Sequence, residues 1–183
     1  MPRTTGYIKQ NWKVTATGSA ADKHEAQLAA DRNSGTYWKA NGTNAAITID
    51  LGKECELAGF AYTPQTENSD GMMAKGILKT SSDGKSWKEA GRFEFGNLIN
   101  DPTKRYYYLK DKVNARYVRI ETTEVAAGNK SVAAAEVDYS DKTASLILRQ
   151  KLGESENFSF KTLKKTKKSL YLQTFFRESV VVT

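Results

Sequence analysis

Short apolar and alternating runs separated by turn residues fill most of the chain up to Tyr139, and helical spacing is scarce. Asn41-Gly42, Asp70-Gly71 and Asp83-Gly84 supply residues that tolerate positive φ in tight turns. Many short strands at near-regular spacing are typical of an all-β antiparallel sandwich. The predicted strands are 46–50, 56–62, 76–81, 87–90, 105–109, 115–121 and 132–139.

Large apolar side chains lie on several of these strands, and they can meet only if the sheet closes over a common core. The segment 20–30 has helical propensity but ends at a polar loop, so we expect a few helical turns that cap the sandwich. The residues predicted to pack in the core are Trp38, Phe60, Tyr62, Trp87, Tyr117 and Ile120.

The chain of 183 residues has room for one domain and an extension. We predict a leader at residues 1–7, a sandwich domain at 8–141 and a basic tail at 142–183. Nine of the 28 Lys and Arg residues, but only three of the 21 Asp and Glu residues, lie in the tail, which therefore carries +6 of the net charge of +7. The sandwich domain itself is nearly neutral.

The tail is centred on Lys164-Lys-Thr-Lys-Lys168 and allows three interpretations. It is a contact for an anionic surface or nucleic acid, a linker into a further domain, or non-native or poorly ordered sequence. We favour the third, because a bias toward Lys, Phe, Leu and Ser fits translation of AT-rich DNA in an unselected frame. Since the basicity belongs to the tail, we expect no nucleic-acid partner.

Several classes of protein are excluded by what the sequence lacks. No segment approaches the roughly 20 apolar residues needed to cross a bilayer, so we expect no membrane partner. The first residues, Met1–Gly6, lack the apolar region of a secretory signal, so we expect a secreted, periplasmic or cell-surface location only as part of a parent protein. Cys55 and His24 are the single cysteine and histidine, and neither has a flanking motif for zinc or catalysis, so we expect no enzyme activity.

A series of sequence elements follows one order along the chain: Asn11–Val14, Ala30–Trp38, Ile47–Gly52, Gly59–Pro64, Ser81–Trp87, Ala115–Ile120 and Ala134–Asp138. In this order they resemble the coagulation factor 5/8 type C, or discoidin, domain. They are also similar to carbohydrate-binding module family 32 and to the C-terminal domain of bacterial exo-α-L-fucosidases. The resemblance implies a jelly-roll sandwich of the galactose-binding-domain-like type, which serves several functions.

For function, the resemblance implies a non-catalytic carbohydrate-binding or spacer module of a secreted bacterial glycoside hydrolase, of the α-L-fucosidase type. The alternative is a purely structural or protein-adhesion sandwich that binds no sugar. The expected partner is accordingly a glycan with a terminal sugar or a neighbouring catalytic domain, and we expect the chain to be a monomer.

The resemblance also implies a structural calcium ion, held by the loop Asp31–Thr36 and by a glutamate near the last strand. The sequence departs from the family at Arg32, where the family usually has Gly. In the alternative, Asp31 and Asn33 simply hydrogen-bond the turn. The matching ligands are the carboxylates of Asp31 and Glu136, the hydroxyl or carbonyl of Thr36, and the backbone of Leu28, Asn33 and Ala135.

Sugar recognition requires an aromatic face and a few polar groups on loops at one end of the sandwich. At the positions that hold a His, an Arg and an Asn in galactose-binding relatives, this chain has Lys39, Gln65 and Asn68. We therefore predict that these three residues, together with Glu67, bind a glycan of a different type. In the run Tyr106–Tyr108 neighbouring rings point to opposite faces, and we predict that Tyr107 stacks on the sugar.

Overall fold

The computed structural model describes residues 9–18, 22–128 and 130–140, which form an antiparallel β-sandwich. The predicted leader and the predicted basic tail lie outside these described residues. Short 3-10 helices at Lys9–Asn11 and Ala26–Ala30 accompany the strands, and no helix of the described part is long and apolar enough to cross a membrane. The strands are Lys13–Ala16 (β1), Trp38–Asn41 (β2), Ala46–Thr63 (β3), Met73–Ser81 (β4), Lys88–Glu94 (β5), Arg105–Val125 (β6), Ser131–Ala134 (β7) and Glu136–Ser140 (β8).

The long strands β3 and β6 belong to both layers of the sandwich. The first half of β3 pairs with the second half of β6, and this layer has the strand order β1-β3-β6-β4-β5. The second half of β3 pairs with the first half of β6 on one side and with β8 on the other. Register shifts after Asp50 and Leu57 mark the bends at which β3 passes between layers, while β2 and β7 form a separate ribbon.

The predicted sandwich is confirmed, although several strand boundaries differ. The two strands predicted within 46–62 are the halves of β3, and the two predicted within 105–121 are the halves of β6. The prediction of one strand over 132–139 is wrong, because the chain bends at Ala135 so that β7 pairs with β2 and β8 pairs with β3. Strands β1 and β2 were not predicted, since four residues are too few for alternation to stand out.

Aromatic side chains from both layers meet in the core. Phe60 on β3 contacts Phe93 on β5 edge to face, with ring centroids 5.1 Å apart, and Tyr62 stacks on Phe95 with centroids 5.9 Å apart. Burial of one such side chain stabilises the fold by about 1.5–3 kcal/mol. The residues that confirm the predicted core are Trp38, Phe60, Tyr62 and Ile120.

Trp87 and Tyr117 do not pack in the core, so that part of the prediction is wrong. Val118 is fully buried on β6, and the alternation of the strand therefore directs its neighbours Tyr117 and Arg119 outward. The Arg119 guanidinium lies 4.0 Å from the centroid of the Trp87 ring, and the Arg116 guanidinium lies 5.1 Å from that of Tyr117. Cation–π pairs thus cover the outer face of this layer.

The Tyr62 hydroxyl joins three strands at the end of the sandwich where β3 stops and β4 begins. It donates a hydrogen bond to Ala133 O at 3.0 Å and accepts one from Met73 N at 3.1 Å. Burial of the phenol raises the pKa of Tyr62. Because β3, β4 and β7 are tied together here, the loop 64–72 between β3 and β4 is held in a fixed position.

Candidate functional site

Polar side chains from three parts of the chain meet beside β2. Trp38 is fully buried, so its neighbours Tyr37 and Lys39 point away from the core. They contact side chains of the loop 64–72, and β7 adds a serine. We name this group the Lys39 cluster; its members are Tyr37, Lys39, Glu67, Asn68, Asp70 and Ser131.

Tyr37 is held in one orientation by contacts on its hydroxyl and on its ring. The hydroxyl donates a hydrogen bond to Glu67 Oε2. That bond, with burial, raises the pKa of Tyr37 to about 12. The ring stacks on His24 with centroids 4.1 Å apart, and His24 Nδ1 lies 3.0 Å from Tyr37 O. Tyr37 therefore remains a neutral hydrogen-bonding group at physiological pH.

Asp70 and Lys39 form a partly exposed ion pair. Lys39 Nζ lies 3.1 Å from Asp70 Oδ2, and the two side chains are 22% and 33% exposed. The Ser131 hydroxyl donates to the same oxygen at 2.6 Å. The hydrogen bond from Ser131 and the charge of Lys39 hold the pKa of Asp70 below its usual range. An ammonium donor and a carboxylate acceptor are thus held side by side within reach of solvent.

Burial corrects the prediction that Gln65 binds sugar. Its side chain is 1% exposed, and Nε2 donates to Asn68 O at 2.7 Å and to Asp70 O at 2.9 Å. Gln65 therefore closes the loop 64–72 from inside. Asn68 is exposed, and its Oδ1 accepts hydrogen bonds from Gln65 Nε2 and Asp70 N. The Asn68 side chain thus also helps to shape the loop.

Tyr107 faces the core, which corrects its prediction as the aromatic that stacks on sugar. Its ring packs against Phe60 and Phe93, with centroids 5.8 Å and 6.2 Å away. The neighbouring Tyr106 and Tyr108 are 52% and 61% exposed instead, and their rings lie parallel with centroids 6.3 Å apart. The exposed aromatic surface of β6 is therefore formed by Tyr106 and Tyr108.

Four of the residues predicted to bind calcium lie in contact with one another. The Asn33 N–H is shared between Asp31 Oδ1 at 2.8 Å and Glu136 Oε1 at 2.9 Å. Thr36 Oγ1 donates to Asp31 Oδ2 at 2.6 Å. Arg32 has a φ of 69°, the left-handed conformation that a glycine would adopt without strain. The fold thus joins the Asp31 loop to β8.

The carboxylate oxygens of these residues are engaged by donors from the protein itself. Leu28 lies in the 3-10 helix Ala26–Ala30, and Ala135 lies at the bend before β8, where its N–H donates to Thr63 O at 3.0 Å. Each carboxylate oxygen of Asp31 and Glu136 already accepts a donor, and the donor to Glu136 Oε2 is Lys9 Nζ. Over residues 9–18, 22–128 and 130–140, no three Asp, Glu, His or Cys side chains converge as metal ligands. Calcium needs six to eight oxygen ligands and would have to displace these donors.

A groove of about 460 Å³ on another part of the sandwich shares no residue with the Lys39 cluster. Arg119 lines this groove, but it already stacks on Trp87 and donates to Thr48 Oγ1 at 2.9 Å. We therefore place the candidate site at the Lys39 cluster. The groove is lined by Thr17, Asn44, Ala46, Arg119, Glu121, Thr122 and Thr123.

Reasoning from sequence missed three members of the Lys39 cluster. Tyr37 flanks the buried Trp38, so alternation around that tryptophan is the signal that assigns it to the surface. Asp70 was interpreted only as a turn residue of Asp70-Gly71. Ser131 comes close to Asp70 only through tertiary pairing, because β7 lies beside β2. No local sequence pattern predicts that contact.

Several solved structures have the same fold as this domain. The module CpGH89CBM32-5 of Clostridium perfringens, in complex with GalNAc-β-1,3-galactose, matches with a TM-score of 0.68 and 22% identity, over 75% of this chain and 100% of that one. The family 32 carbohydrate-binding module of C. perfringens NanJ, in complex with galactose, matches with a TM-score of 0.64 and 16% identity, over 73% and 96%. The fold is thus the antiparallel sandwich of family 32 carbohydrate-binding modules.

Residues 13–137 match the model of the F5/8 type C domain. The chain therefore belongs to the F5/8 type C family, which confirms the resemblance to the coagulation factor 5/8 type C domain found in the sequence. A sialidase of Micromonospora viridifaciens is 25% identical over 135 residues, which is 68% of this chain and 20% of the sialidase. This chain thus matches about a fifth of the length of that enzyme.

Proposed function

We propose that this domain is a carbohydrate-binding accessory module of an exported bacterial glycoside hydrolase. The observation that carries the proposal is the partly exposed Lys39–Asp70 ion pair beside the fixed ring of Tyr37. Sugar hydroxyls both donate and accept hydrogen bonds, so an adjacent ammonium and carboxylate match two neighbouring hydroxyls of a pyranose. Because internal contacts already orient these groups, little side-chain entropy is lost on binding.

The similar proteins support a saccharide ligand and a glycosidase parent. Two of them are modules solved with GalNAc-β-1,3-galactose and with galactose, and a third is a sialidase. None of these three is a fucosidase, so our proposal names a glycoside hydrolase without specifying the α-L-fucosidase type. Since Asp70 neutralises Lys39, we expect a neutral terminal sugar rather than an acidic one.

A glycan array with the full chain, followed by calorimetric titration with the strongest ligand, tests this proposal. We expect wild type to bind a terminal pyranoside and Lys39→Met to lose at least about tenfold in affinity, which corresponds to about 1.4 kcal/mol. Lys53→Met is the matched control, because Lys53 is an exposed lysine of β3 outside the cluster. It should bind like wild type. Repeating the array at raised salt removes contacts made by the basic tail.

Two other outcomes of this experiment contradict the proposed site. If Tyr106→Ala and Tyr108→Ala abolish binding while Lys39→Met retains it, the sugar binds the exposed tyrosine pair of β6 instead. A blank array from folded protein favours a purely structural role. This second function is supported by two observations. Gln65 uses its hydrogen bonds within the loop 64–72, and Asp70 accepts one from Ser131 on β7, so both side chains already have partners in the protein.

A further inference from the structure

Lys9 reaches from the N-terminal turn to β8. The turn Lys9–Asn11 is closed by a hydrogen bond from Trp12 N to Lys9 O at 3.2 Å. Trp12 is buried against Tyr139 of β8, with ring centroids 5.7 Å apart, and it fixes the point from which the lysine side chain extends. Only 8% of the Lys9 side chain is exposed. Lysine side chains are almost never buried to this extent unless an acidic group pairs with them.

The buried ammonium group is enclosed by two carboxylates and an aromatic ring. Lys9 Nζ binds Glu136 Oε2 and lies 2.7 Å from Asp138 Oδ1, and the centroid of the Trp12 ring is 5.8 Å away. Glu136 and Asp138 are two residues apart on β8, so their side chains leave the same face of the strand. Lys9 is therefore paired on two sides, as a buried charge requires.

Glu136 connects Lys9 to the Asp31 loop. While Oε2 binds the ammonium, Oε1 accepts the Asn33 N–H at 2.9 Å. The Lys9 ammonium and the Asn33 N–H thus bind the two oxygens of one carboxylate. Through that carboxylate, the positive charge of Lys9 holds the Asp31 loop against β8.

We propose that the Lys9 ammonium takes the place of the structural calcium ion predicted for this family, and that the sandwich of this chain is stable without calcium. Either cation would neutralise Glu136 where the Asp31 loop meets β8. They exclude each other, because Lys9 occupies the oxygen that would bind the metal and repels a divalent ion at short range. Lys104 Nζ separately pairs with Asp138 at 2.6 Å, so Lys9 shares the neutralisation of that carboxylate with a second lysine.

Thermal unfolding of the full chain in EDTA and in millimolar calcium tests this proposal. We expect wild type to unfold at the same midpoint in both solutions. Lys9→Met keeps most of the apolar stem and removes the charge, which leaves Glu136 buried without its cation. In EDTA this variant should unfold about 10 °C lower than wild type. Calcium should then recover part of the loss, because the ion binds only the folded state.

Lys104→Met is the matched control, because Lys104 pairs with Asp138 but its side chain is 38% exposed. We expect a small drop in the midpoint and no response to calcium. Terbium luminescence after excitation of tryptophan gives a second readout, because Trp12 lies beside Lys9 and can transfer energy to an ion bound there. Wild type should stay dark and Lys9→Met should emit. A midpoint of wild type that EDTA lowers, terbium binding by wild type, or a folded Lys9→Met that ignores calcium each overturns the proposal. The wild-type measurements decide the question even if Lys9→Met does not fold.

Discussion

Two glycines allow the close packing of Tyr107 on β6 against its neighbouring strands. A Cβ at Gly91 on β5 would lie 2.0 Å from the Tyr107 hydroxyl, and a Cβ at Gly59 on β3 would lie 2.0 Å from Tyr107 O. Alternation predicts that the tyrosines divide between the faces of the strand, but it does not say which face Tyr107 takes. The space left by Gly59 and Gly91 lets β6 and the ring of Tyr107 approach their neighbours.

Replacing Gly59 by alanine should therefore destabilise the domain severely. Its φ is 155°, and the new methyl group would meet backbone rather than a movable side chain. We expect Gly59→Ala to lower the free energy of unfolding by more than about 3 kcal/mol, measured by urea denaturation. Gly96→Ala is the control, because nothing lies within 4 Å of its Cβ, and it should stay within about 0.5 kcal/mol of wild type. Equal effects of the two substitutions would contradict the tight packing of Gly59 against the backbone of Tyr107.

The turn between β4 and β5 depends on one carboxylate. Asp83 Oδ1 accepts hydrogen bonds at 2.8 Å from Ser86 N, from Lys85 N and from Ser81 Oγ. The backbone donors of Ser86 and Lys85 hold the pKa of Asp83 far below its usual range. The ionised side chain thus organises the turn that sets the register of the β4–β5 hairpin.

This lowered pKa fixes the sign of a pH effect on the hairpin. A group whose pKa is lower in the folded state stabilises the fold above its unfolded pKa, about 3.9 for aspartate. That stabilisation disappears as the pH falls through the folded value. We expect Asp83→Asn to lower the urea midpoint by a constant amount from pH 7 to about pH 4, and the difference from wild type to shrink in stronger acid. A difference that persists unchanged at the lowest pH would contradict the role of the ionised carboxylate.

At the scale of the whole molecule, the sequence predicts the sandwich far better than the candidate site. The sandwich follows from alternating runs and turn dipeptides, which are local signals, and these place most of β3, β4 and β6. The site depends on contacts between distant parts of the chain. In the Lys39 cluster, Ser131 and Asp70 are 61 residues apart, and Tyr37 and Glu67 are 30 apart. Gln65 has the composition of a surface residue, and only the path of its loop buries it.

The C-terminal boundary of the sandwich domain can also be tested. The family match ends at residue 137, whereas the tail 142–183 carries +6 of the net charge of +7. We expect a chain that ends at Asp141 to unfold within about 0.5 kcal/mol of the full chain in urea, because β8 already completes the pairing of β3. The shortened chain should also elute from a cation-exchange column at much lower salt, because its net charge is close to zero. A large loss of stability would instead show that the tail contributes packing to the sandwich, so that the domain extends beyond the residues that the family shares.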